Sequence, residues 1–555
     1  MATCTPNDPH EIQMDSESEG DSTMEIYAVS SSDMDSSESD DETESSKQQS
    51  TNRIWKKTAC KPHLFSFDET NIGFSPKIDA MKDPTPLDVF QLLFDEKMID
   101  LIVEETNKYQ VFPNKNATPS TDSHQAKWTE TNHSEIYTFL ATVMLMSVTK
   151  KNKILDYWST DPLISTPMFS QLFSRDRFLM LLKYLHFNDE LTKIDDDKLY
   201  KVKPIIDDLR TKFKSLVIPN KNLCIDESLI LWKGRLGFKQ YIPSKRRRFG
   251  IKVLMICDCQ TGIVLDFIVY TGSSTDIDLD QSLGKSGSIV MTLMKPYLSK
   301  GHSLFVDNWY TTPRLFEKLY ELKTGACGTV RRNRIGSVKL DKLTKGDFDY
   351  TNSHNLMVLK WQDKREVFML CTIHRPRMIQ TRKSDWKTQK IVEKPECIVH
   401  YNKNMGSVDK TDMQLSFVEC LRKTIKWYKK FFFHLLDLST FNAYMLFKMK
   451  HKKSIHFGDF RCELIRQLIE RYSQPKPIGG RPVTSDNPVR LTGRHFPSLV
   501  PATTTQKCPR RDCIVCSHTS RREKKRKKTR YQCDICDVGL CVIDCFGDYH
   551  TLKHF

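Results

Sequence analysis

Leu223-Cys224-Ile225-Asp226-Glu227-Ser228-Leu229 decides the fold, because a short apolar run predicts a strand and places an aspartate at its end. Ser303-Leu304-Phe305-Val306 predicts another strand that ends at Asp307, and Asp409 follows Gly406-Ser407, where a helix is predicted to begin. A carboxylate at a strand end projects from the sheet at a fixed place. Three such groups can hold two Mg²⁺ about 3.5–4 Å apart, the arrangement for in-line attack on phosphodiesters, and Mg²⁺ prefers oxygen ligands.

The chain around the first two aspartates follows one order of elements. After Leu223 come two β-rich runs joined by a hairpin signal, Asp258-Cys259-Gln260-Thr261-Gly262. Helical stretches then precede the strand that ends at Asp307 and the next predicted strand, 326–330. Strand, hairpin, helix, strand, helix, strand is the order of an RNase H-like core. That fold brings its first and fourth strands together, so Asp226 and Asp307 are predicted neighbours.

Longer motifs surround these residues. They include Asp156-Tyr157-Trp158-Ser159-Thr160, Leu185-His186-Phe187-Asn188, Tyr241-Ile242-Pro243-Ser244-Lys245-Arg246-Arg247-Arg248-Phe249-Gly250, Val306-Asp307-Asn308-Trp309-Tyr310, Tyr401-Asn402-Lys403-Asn404-Met405-Gly406-Ser407-Val408-Asp409-Lys410-Thr411-Asp412 and Trp427-Tyr428-Lys429-Lys430. The order of these motifs and their amino-acid sequences resemble those of the piggyBac transposases and the proteins domesticated from them, over roughly residues 85 to 555.

The resemblance implies catalysis by Asp226, Asp307 and Asp409 with two Mg²⁺ or Mn²⁺. The substrate would be double-stranded DNA, cut at transposon terminal repeats through hairpin intermediates and inserted at TTAA targets. Asp412 lies on the same helix face as Asp409 and is predicted to assist, or else only to favour the first helical turn. Lys245, Arg246, Arg247 and Arg248 are predicted to contact phosphates. Trp309 is either a base-stacking or a core residue.

Charge is unevenly distributed along the 555 residues. The net charge is +16, but residues 1–50 carry −13, which leaves +29 for the remainder. A body this basic indicates nucleic acid as partner. No stretch reaches the roughly 18 apolar residues of a membrane span, and the acidic N-terminus lacks a signal peptide. We therefore expect a nuclear protein with reduced cysteines.

Composition and periodicity predict a multidomain α/β chain. Residues 1–80 are predicted to be a disordered acidic tail whose serines are either kinase sites or only solvating. The other predicted parts are a helical domain in two pieces (85–220 and 418–473), the RNase H-like core in two pieces (221–330 and 395–417), a β-rich insertion (331–394), a linker (474–506) and a cysteine-rich domain (508–555). The resemblance implies that the helical domain serves dimerisation and DNA binding. The helical pieces imply a homodimer by resemblance.

The tail contains seven of the seventeen cysteines. Two C-x₂-C knuckles followed by two cysteines and two histidines supply ligands for two tetrahedral Zn²⁺. In a cross-brace zinc finger, Cys513 and Cys516 would share an ion with Cys541 and Cys545, and Cys533 and Cys536 would share one with His550 and His554. His518 or Cys508 remains an alternative ligand. So short a domain needs the metal in order to fold.

Between the knuckles lies a run of basic residues: Arg521, Arg522, Lys524, Lys525, Arg526, Lys527 and Lys528. It suits a nuclear import signal, a phosphate clamp, or both. The leading interpretation of the chain is a DDD transposase. The rival is a domesticated DNA-binding protein without catalysis. A zinc-finger ubiquitin ligase or chromatin reader would leave the basic body unexplained.

Overall fold

The computed structural model describes residues 53–111, 128–192, 196–243, 245, 248–384, 389–420, 426–452, 454–473, 495–503, 506–552 and 554–555. It contains two compact units, Met1–Gln474 and Pro475–Phe555. The first combines a mixed sheet with helices, and the second is a small cysteine-rich unit. The predicted multidomain α/β class is confirmed.

The first unit begins with helices and one short strand pair. In chain order these are β1 (Gly73–Phe74), α1 (Pro76–Asp79), α2 (Pro86–Phe90), α3 (Glu96–Val111), α4 (His133–Val148), α5 (Pro167–Leu172), α6 (Arg175–Tyr184), α7 (Lys203–Lys214) and β2 (Val217–Ile218). Thr85 caps α2: its hydroxyl accepts from the Asp88 amide at 3.2 Å, and the Asp88 carboxylate accepts from the Thr85 amide at 2.8 Å. Pro86 is the first helical residue, where a missing N–H costs nothing.

A nine-stranded sheet forms the centre of this unit. Its strands are β3 (Asn222–Leu231), β4 (Gln240–Tyr241), β5 (Phe249–Asp258), β6 (Val264–Val269), β7 (Ser303–Val306), β8 (Gly325–Thr329), β9 (Phe348–Ser353), β10 (Leu356–Gln362) and β11 (Glu366–Cys371). The order is β4-β5-β3-β7-β8-β11-β10-β9, with β6 also paired to β5. Strands β3, β7 and β8 run parallel, and the other pairs are antiparallel. Helices α8 (Gly284–Met294) and α9 (Pro313–Glu321) connect the parallel strands.

Only part of the region predicted as a β-rich insertion is separate from the main sheet. Three of its strands, β9 to β11, continue the main sheet, because β11 pairs with β8 through Gly328 and Leu370. This pairing satisfies the backbone groups that β8 would otherwise expose as an edge strand. Only β12 (Met378–Ser384) and β13 (Ile391–Pro395) form a separate two-stranded sheet.

Four helices complete the first unit: α10 (Glu396–Asn404), α11 (Ser407–Val418), α12 (Trp427–His451) and α13 (Phe457–Tyr472). Helix α11 packs on β3, while α12 and α13 pack against α2 and α4. Phe432 of α12 stacks on Phe187 at 4.3 Å between ring centroids, and Tyr472 stacks on Tyr137 at 4.2 Å. Helices that precede the sheet in sequence and helices that follow it therefore share one hydrophobic core. None of the described helices has the length and apolar character needed to cross a bilayer.

Residues 53–80, which were predicted to be part of the disordered tail, are ordered against the first unit. Arg53 makes a two-pronged ion pair with Glu317, and Lys56 forms a β-bridge with Asn352 on β9. A Cβ on Gly301 would lie 2.0 Å from the Ser66 carbonyl oxygen, which shows how closely this segment approaches the body. Aromatic and basic residues replace the acidic ones here and supply contacts that repay ordering. Residues 1–52, with the predicted kinase sites, lie outside the described residues.

The second unit is built from short elements. They are β14 (Pro497–Leu499), β15 (Arg511–Asp512), α14 (Ile514–His518), β16 (Lys528–Thr529), β17 (Tyr531–Cys533), β18 (Val538–Gly539) and α15 (Cys545–Thr551). The predicted linker extends too far, because β14 pairs with β17 through Leu499 and Tyr531 and so belongs to this unit. Residues 474–494 of that linker lie outside the described part.

Candidate functional site

The sheet brings the first two predicted aspartates together. Ile225 on β3 is the parallel partner of Val306 on β7, so Asp226 and Asp307 follow side by side. Asp226 lies within its strand rather than at its end, because β3 continues to Leu231 along β5. The shorter β7 ends at Val306, and Asp307 opens the following turn, where its Oδ1 accepts from the Trp309 amide at 2.9 Å.

Three carboxylates form the candidate metal centre. One oxygen each from Asp226, Glu227 and Asp307 lies within 4.8 Å of the others. Sequence reasoning did not single out Glu227, because side chains alternate along a strand and neighbouring residues normally face opposite sides of the sheet. Its place directly after Asp226 was the only available signal. Oxygen ligands crowded in this way suit a hard divalent cation.

Electrostatics give the same indication. Burial raises the pKa of Asp226 well above its usual value, and the charges of Glu227 and Asp307 raise it further. Burial and Glu227 raise the pKa of Asp307 to about 7. The site thus places several carboxylates where water solvates them poorly and where the nearby lysines do not offset their charge. A bound cation would lower the free energy of ionising them.

The other two predicted acids approach on α11. Asp409 lies in its first turn and pairs with Lys245, whose Nζ is 3.2 Å from Asp409 Oδ1. Asp412 accepts a hydrogen bond from the Ser228 hydroxyl of β3 at 2.6 Å, and burial raises the pKa of Asp412 to about 6. Asp409 is not a member of the three-carboxylate group, but its charge contributes to the raised pKa of Asp226.

The predicted DNA contacts near this centre are partly described. Arg248 is exposed, whereas Arg246 and Arg247 lie outside the described residues. Trp309 is half-buried against the core, with Lys252 Nζ 4.3 Å from the centroid of its ring. Lys252 itself is buried and favours the ionised form of Asp307. Lys252 is thus a second cation near the carboxylates, besides Lys245. Sequence reasoning missed it because it lies inside an apolar strand.

The second unit holds two groups of metal-ligand type. In the first, the sulfur atoms of Cys513, Cys516, Cys541 and Cys545 lie within 4.8 Å of one another, with 3.5 Å between Cys516 and Cys545. Tetrahedral zinc with Zn–S bonds of about 2.3 Å places sulfurs about 3.8 Å apart. Burial disfavours the Cys513 thiolate, but hydrogen bonds from the Cys516 and Cys541 amides outweigh it and lower the pKa of Cys513.

The second group differs from the predicted one by a single residue. It contains Cys533, Cys536 and His550 as expected, but His495 in the place predicted for His554. His495 Nδ1 lies 3.3 Å from Cys533 Sγ and 3.4 Å from Cys536 Sγ. The pairing of β14 with β17 brings His495 to Cys533 and Cys536. His495 lies before the first cysteine of the tail, so the spacing of ligands within 508–555 does not indicate it. Cys508 and His518 belong to neither group.

The predicted basic run lies in this unit and is exposed. Three of its residues make ion pairs: Arg522 with Asp548 at 3.2 Å, Arg526 with Asp512 at 2.8 Å and Lys525 with Glu523 at 3.4 Å. The exposed side chains of Arg521, Lys524, Lys527 and Lys528 complete the run.

Comparisons with known proteins agree with this geometry. A family model described as Transposase IS4 matches residues 85–444, and the chain belongs to that family. PiggyBac transposable element-derived protein 3 of Homo sapiens is 27% identical over 484 residues, which cover 84% of this chain and 76% of that protein. PiggyBac transposable element-derived protein 2 of Homo sapiens is 25% identical over 414 residues, covering 72% and 67%.

One solved structure has the same fold. It is a cryo-EM structure of the piggyBac transposase synaptic complex with hairpin DNA, with a TM-score of 0.64 and 23% identity. The match covers 87% of this chain and 100% of that one. The predicted membership of the piggyBac transposase family is confirmed.

Proposed function

We propose that this chain is a metal-dependent DDD transposase of the piggyBac type, with an RNase H-like core that cleaves DNA at transposon ends and joins them to TTAA targets. One observation carries the proposal: the parallel pairing of β3 with β7 sets Asp226 beside Asp307, where α11 brings Asp409 and Asp412 to the same strand. Partners would be double-stranded DNA and a second copy of the chain, and the place of action would be the nucleus.

Each carboxylate has a role that follows from its support. Asp226, Asp307 and Asp409 would hold two Mg²⁺ or Mn²⁺. Bound there, the ions would activate water or a 3′-hydroxyl and stabilise the leaving oxygen. Asp226 and Asp307 are fixed by the sheet, and the Ser228–Asp412 hydrogen bond ties α11 to β3. This bond makes Asp412 a residue that positions Asp409.

The second unit would be a cross-brace zinc finger that contacts DNA phosphates through its basic run. Helix α15 supplies Cys545 to one ligand group and His550 to the other, which supports the interleaved arrangement. Eight ligands would hold two Zn²⁺, and their binding would supply much of the unit's folding free energy. The same basic run would serve nuclear import.

Cleavage of DNA by the full chain tests the proposal. With Mg²⁺ or Mn²⁺, the protein should nick DNA that carries its own terminal repeats next to TTAA, and Asp226→Asn or Asp307→Asn should abolish nicking without loss of DNA affinity. Asp278→Asn, an exposed change in a loop of the same unit, is the matched control and should cut normally. Tight binding of these ends by the wild type without cutting would instead favour the domesticated DNA-binding protein.

A further inference from the structure

Lys245 lies in the loop of the β4–β5 hairpin, and its ammonium group lies beside Asp409. Strands β4 and β5 pair antiparallel through Tyr241 and Phe249, and the Ile242 amide donates to the Arg248 carbonyl at 2.8 Å. The base of the hairpin is therefore fixed to the sheet. The loop places one ammonium group beside the acids of β3 and α11.

The contacts of this ammonium are specific. Nζ lies 3.2 Å from Asp409 Oδ1 and donates to the Glu227 carbonyl oxygen at 3.4 Å, while the Lys245 side chain is 26% exposed. Burial opposes its charge, but the attraction of Asp226, Glu227, Asp409 and Asp412 is larger and raises the pKa of Lys245. The largely buried ammonium group of Lys245 thus lies close to acids from both β3 and α11.

Asp409 has a different environment from the two strand aspartates. Asp226 and Asp307 lie within 4.8 Å of each other and of Glu227, whereas Asp409 is held by Lys245 outside that group. We propose that Lys245 is the internal counter-ion of the site, and that it must release Asp409 before this carboxylate can join Asp226 and Asp307 around a divalent cation. The inference rests on the proposed function, since it assumes that a metal binds there.

The physical basis is competition between cations. An ammonium and a divalent ion repel each other strongly at a few ångströms in a poorly solvated site, so Asp409 cannot keep both partners at full strength. A released Lys245 would project from the hairpin loop together with exposed Arg248. A DNA phosphate is the anion that would then receive it, and metal and DNA would bind with positive coupling.

A Mn²⁺ titration of the zinc-loaded full chain, followed by electron paramagnetic resonance without DNA, tests the competition. Lys245→Met should bind Mn²⁺ about tenfold more tightly than the wild type, because the competing charge is gone. Lys239→Met removes the same charge just before β4. Lys239 Nζ donates to the Gly234 carbonyl oxygen at 3.2 Å and pairs with no acid among the described residues, so this variant should leave the affinity unchanged. An unchanged or weaker affinity in Lys245→Met overturns the inference.

Further arms separate the possible failures. In an Asp409→Asn background, the effect of Lys245→Met should become smaller, because the direct contact with Asp409 is absent and only the attraction of the other acids remains. Non-cleavable DNA should tighten Mn²⁺ binding by the wild type, and this gain should shrink in Lys245→Met. Lys245→Gln repeats the series if Lys245→Met unfolds. Mn²⁺ binding that is absent, or insensitive to Asp307→Asn, overturns the proposed function as well; binding that needs Asp307 but ignores Lys245 overturns this inference alone.

Discussion

Asp307 shows what a single residue costs the metal-free fold. Its pKa of about 7 lies well above the usual aspartate pKa of about 3.9, so the folded state binds a proton more readily than the unfolded state. At pH 4 the two states differ little, and as the pH rises towards 7 the buried ionised group increasingly destabilises the native state, by up to roughly 4 kcal/mol.

Asp307→Asn should therefore raise the melting temperature of the metal-free, zinc-loaded protein at pH 8 by several degrees, and the gain should fade towards pH 4. Thermal melts across this range without added divalent ions measure it. The exposed change Asp278→Asn is the control and should shift no melt. A variant that is less stable than the wild type at pH 8 would contradict the electrostatic reading of the site.

Arg461 and Asp437 form the most deeply buried ion pair among the described residues of the first unit. Arg461 is fully buried and donates to Asp437 Oδ1 at 2.8 Å, and the Cys420 amide donates to the other Asp437 oxygen at 3.0 Å. Arg461→Met would leave Asp437 buried without its partner, which typically costs about 3–5 kcal/mol. Denaturant unfolding measures this loss. Arg466→Met, on the same helix but with an exposed partner, should cost about 1 kcal/mol or less; equal losses would refute the role of burial.

Sequence reasoning identified site residues where the local pattern points to a fixed place. Asp226 and Asp307 follow apolar runs, and parallel pairing makes such ends neighbours. Glu227, Lys252 and His495 were missed for three different physical reasons. Glu227 departs from simple strand alternation, and Lys252 is a charge inside an apolar strand. His495 reaches its group only through a strand pairing between Ser498 and Gln532, which lie 34 residues apart in sequence.

At the scale of elements, the close approach of β8 to β7 depends on Gly328. A Cβ there would lie 2.3 Å from Thr311 Oγ1 and 2.6 Å from the carbonyl oxygen of Val306. Val306 is the residue just before Asp307. Gly328→Ala should therefore displace β7 or β8, lower stability by about 1–3 kcal/mol and weaken Mn²⁺ binding. Denaturant unfolding and the Mn²⁺ titration measure both effects.

Gly458→Ala is the matched control for this substitution. Gly458 lies on α13, and a Cβ there meets no atom within 4 Å. Alanine favours a helix by up to about 1 kcal/mol over glycine, so this variant should be as stable as the wild type or more so. Tolerance of Gly328→Ala, with normal stability and metal affinity, would show that the strands have room to separate.

The elements themselves were predictable in type more than in pairing. The hairpin, the two connecting helices and the helix with Asp409 follow from local periodicity. The extension of the sheet by β9 to β11 does not, because any free edge of suitable length could have accepted them, and only tertiary packing selects β8. Residues 53–80 likewise become ordered through contacts with distant strands that no local pattern records.

At the scale of the whole molecule, metal content tests the cysteine-rich unit. The purified full chain should carry about two zinc ions, and His495→Ala should lower the content towards one, because a group with three ligands binds less tightly. His554→Ala is the control and should keep two. Elemental analysis by mass spectrometry measures the ratio. Loss of zinc in His554→Ala with retention in His495→Ala would restore the ligand set expected from sequence alone.

The overall charge distribution leads to a prediction about DNA binding. If the basic run contacts phosphates, affinity should fall steeply with salt, because each neutralised phosphate releases condensed counterions, and the slope of log K against log salt changes by about 0.9 per contact. Replacing Lys524, Lys527 and Lys528 by Gln should flatten the slope by up to about 2.7 while zinc content stays at two. Fluorescence anisotropy from about 50 to 300 mM salt measures it.

The control replaces three exposed lysines of the first unit, Lys342, Lys345 and Lys364, and should retain the slope. Equal flattening in both variants would mean that net charge, rather than this basic run, governs binding.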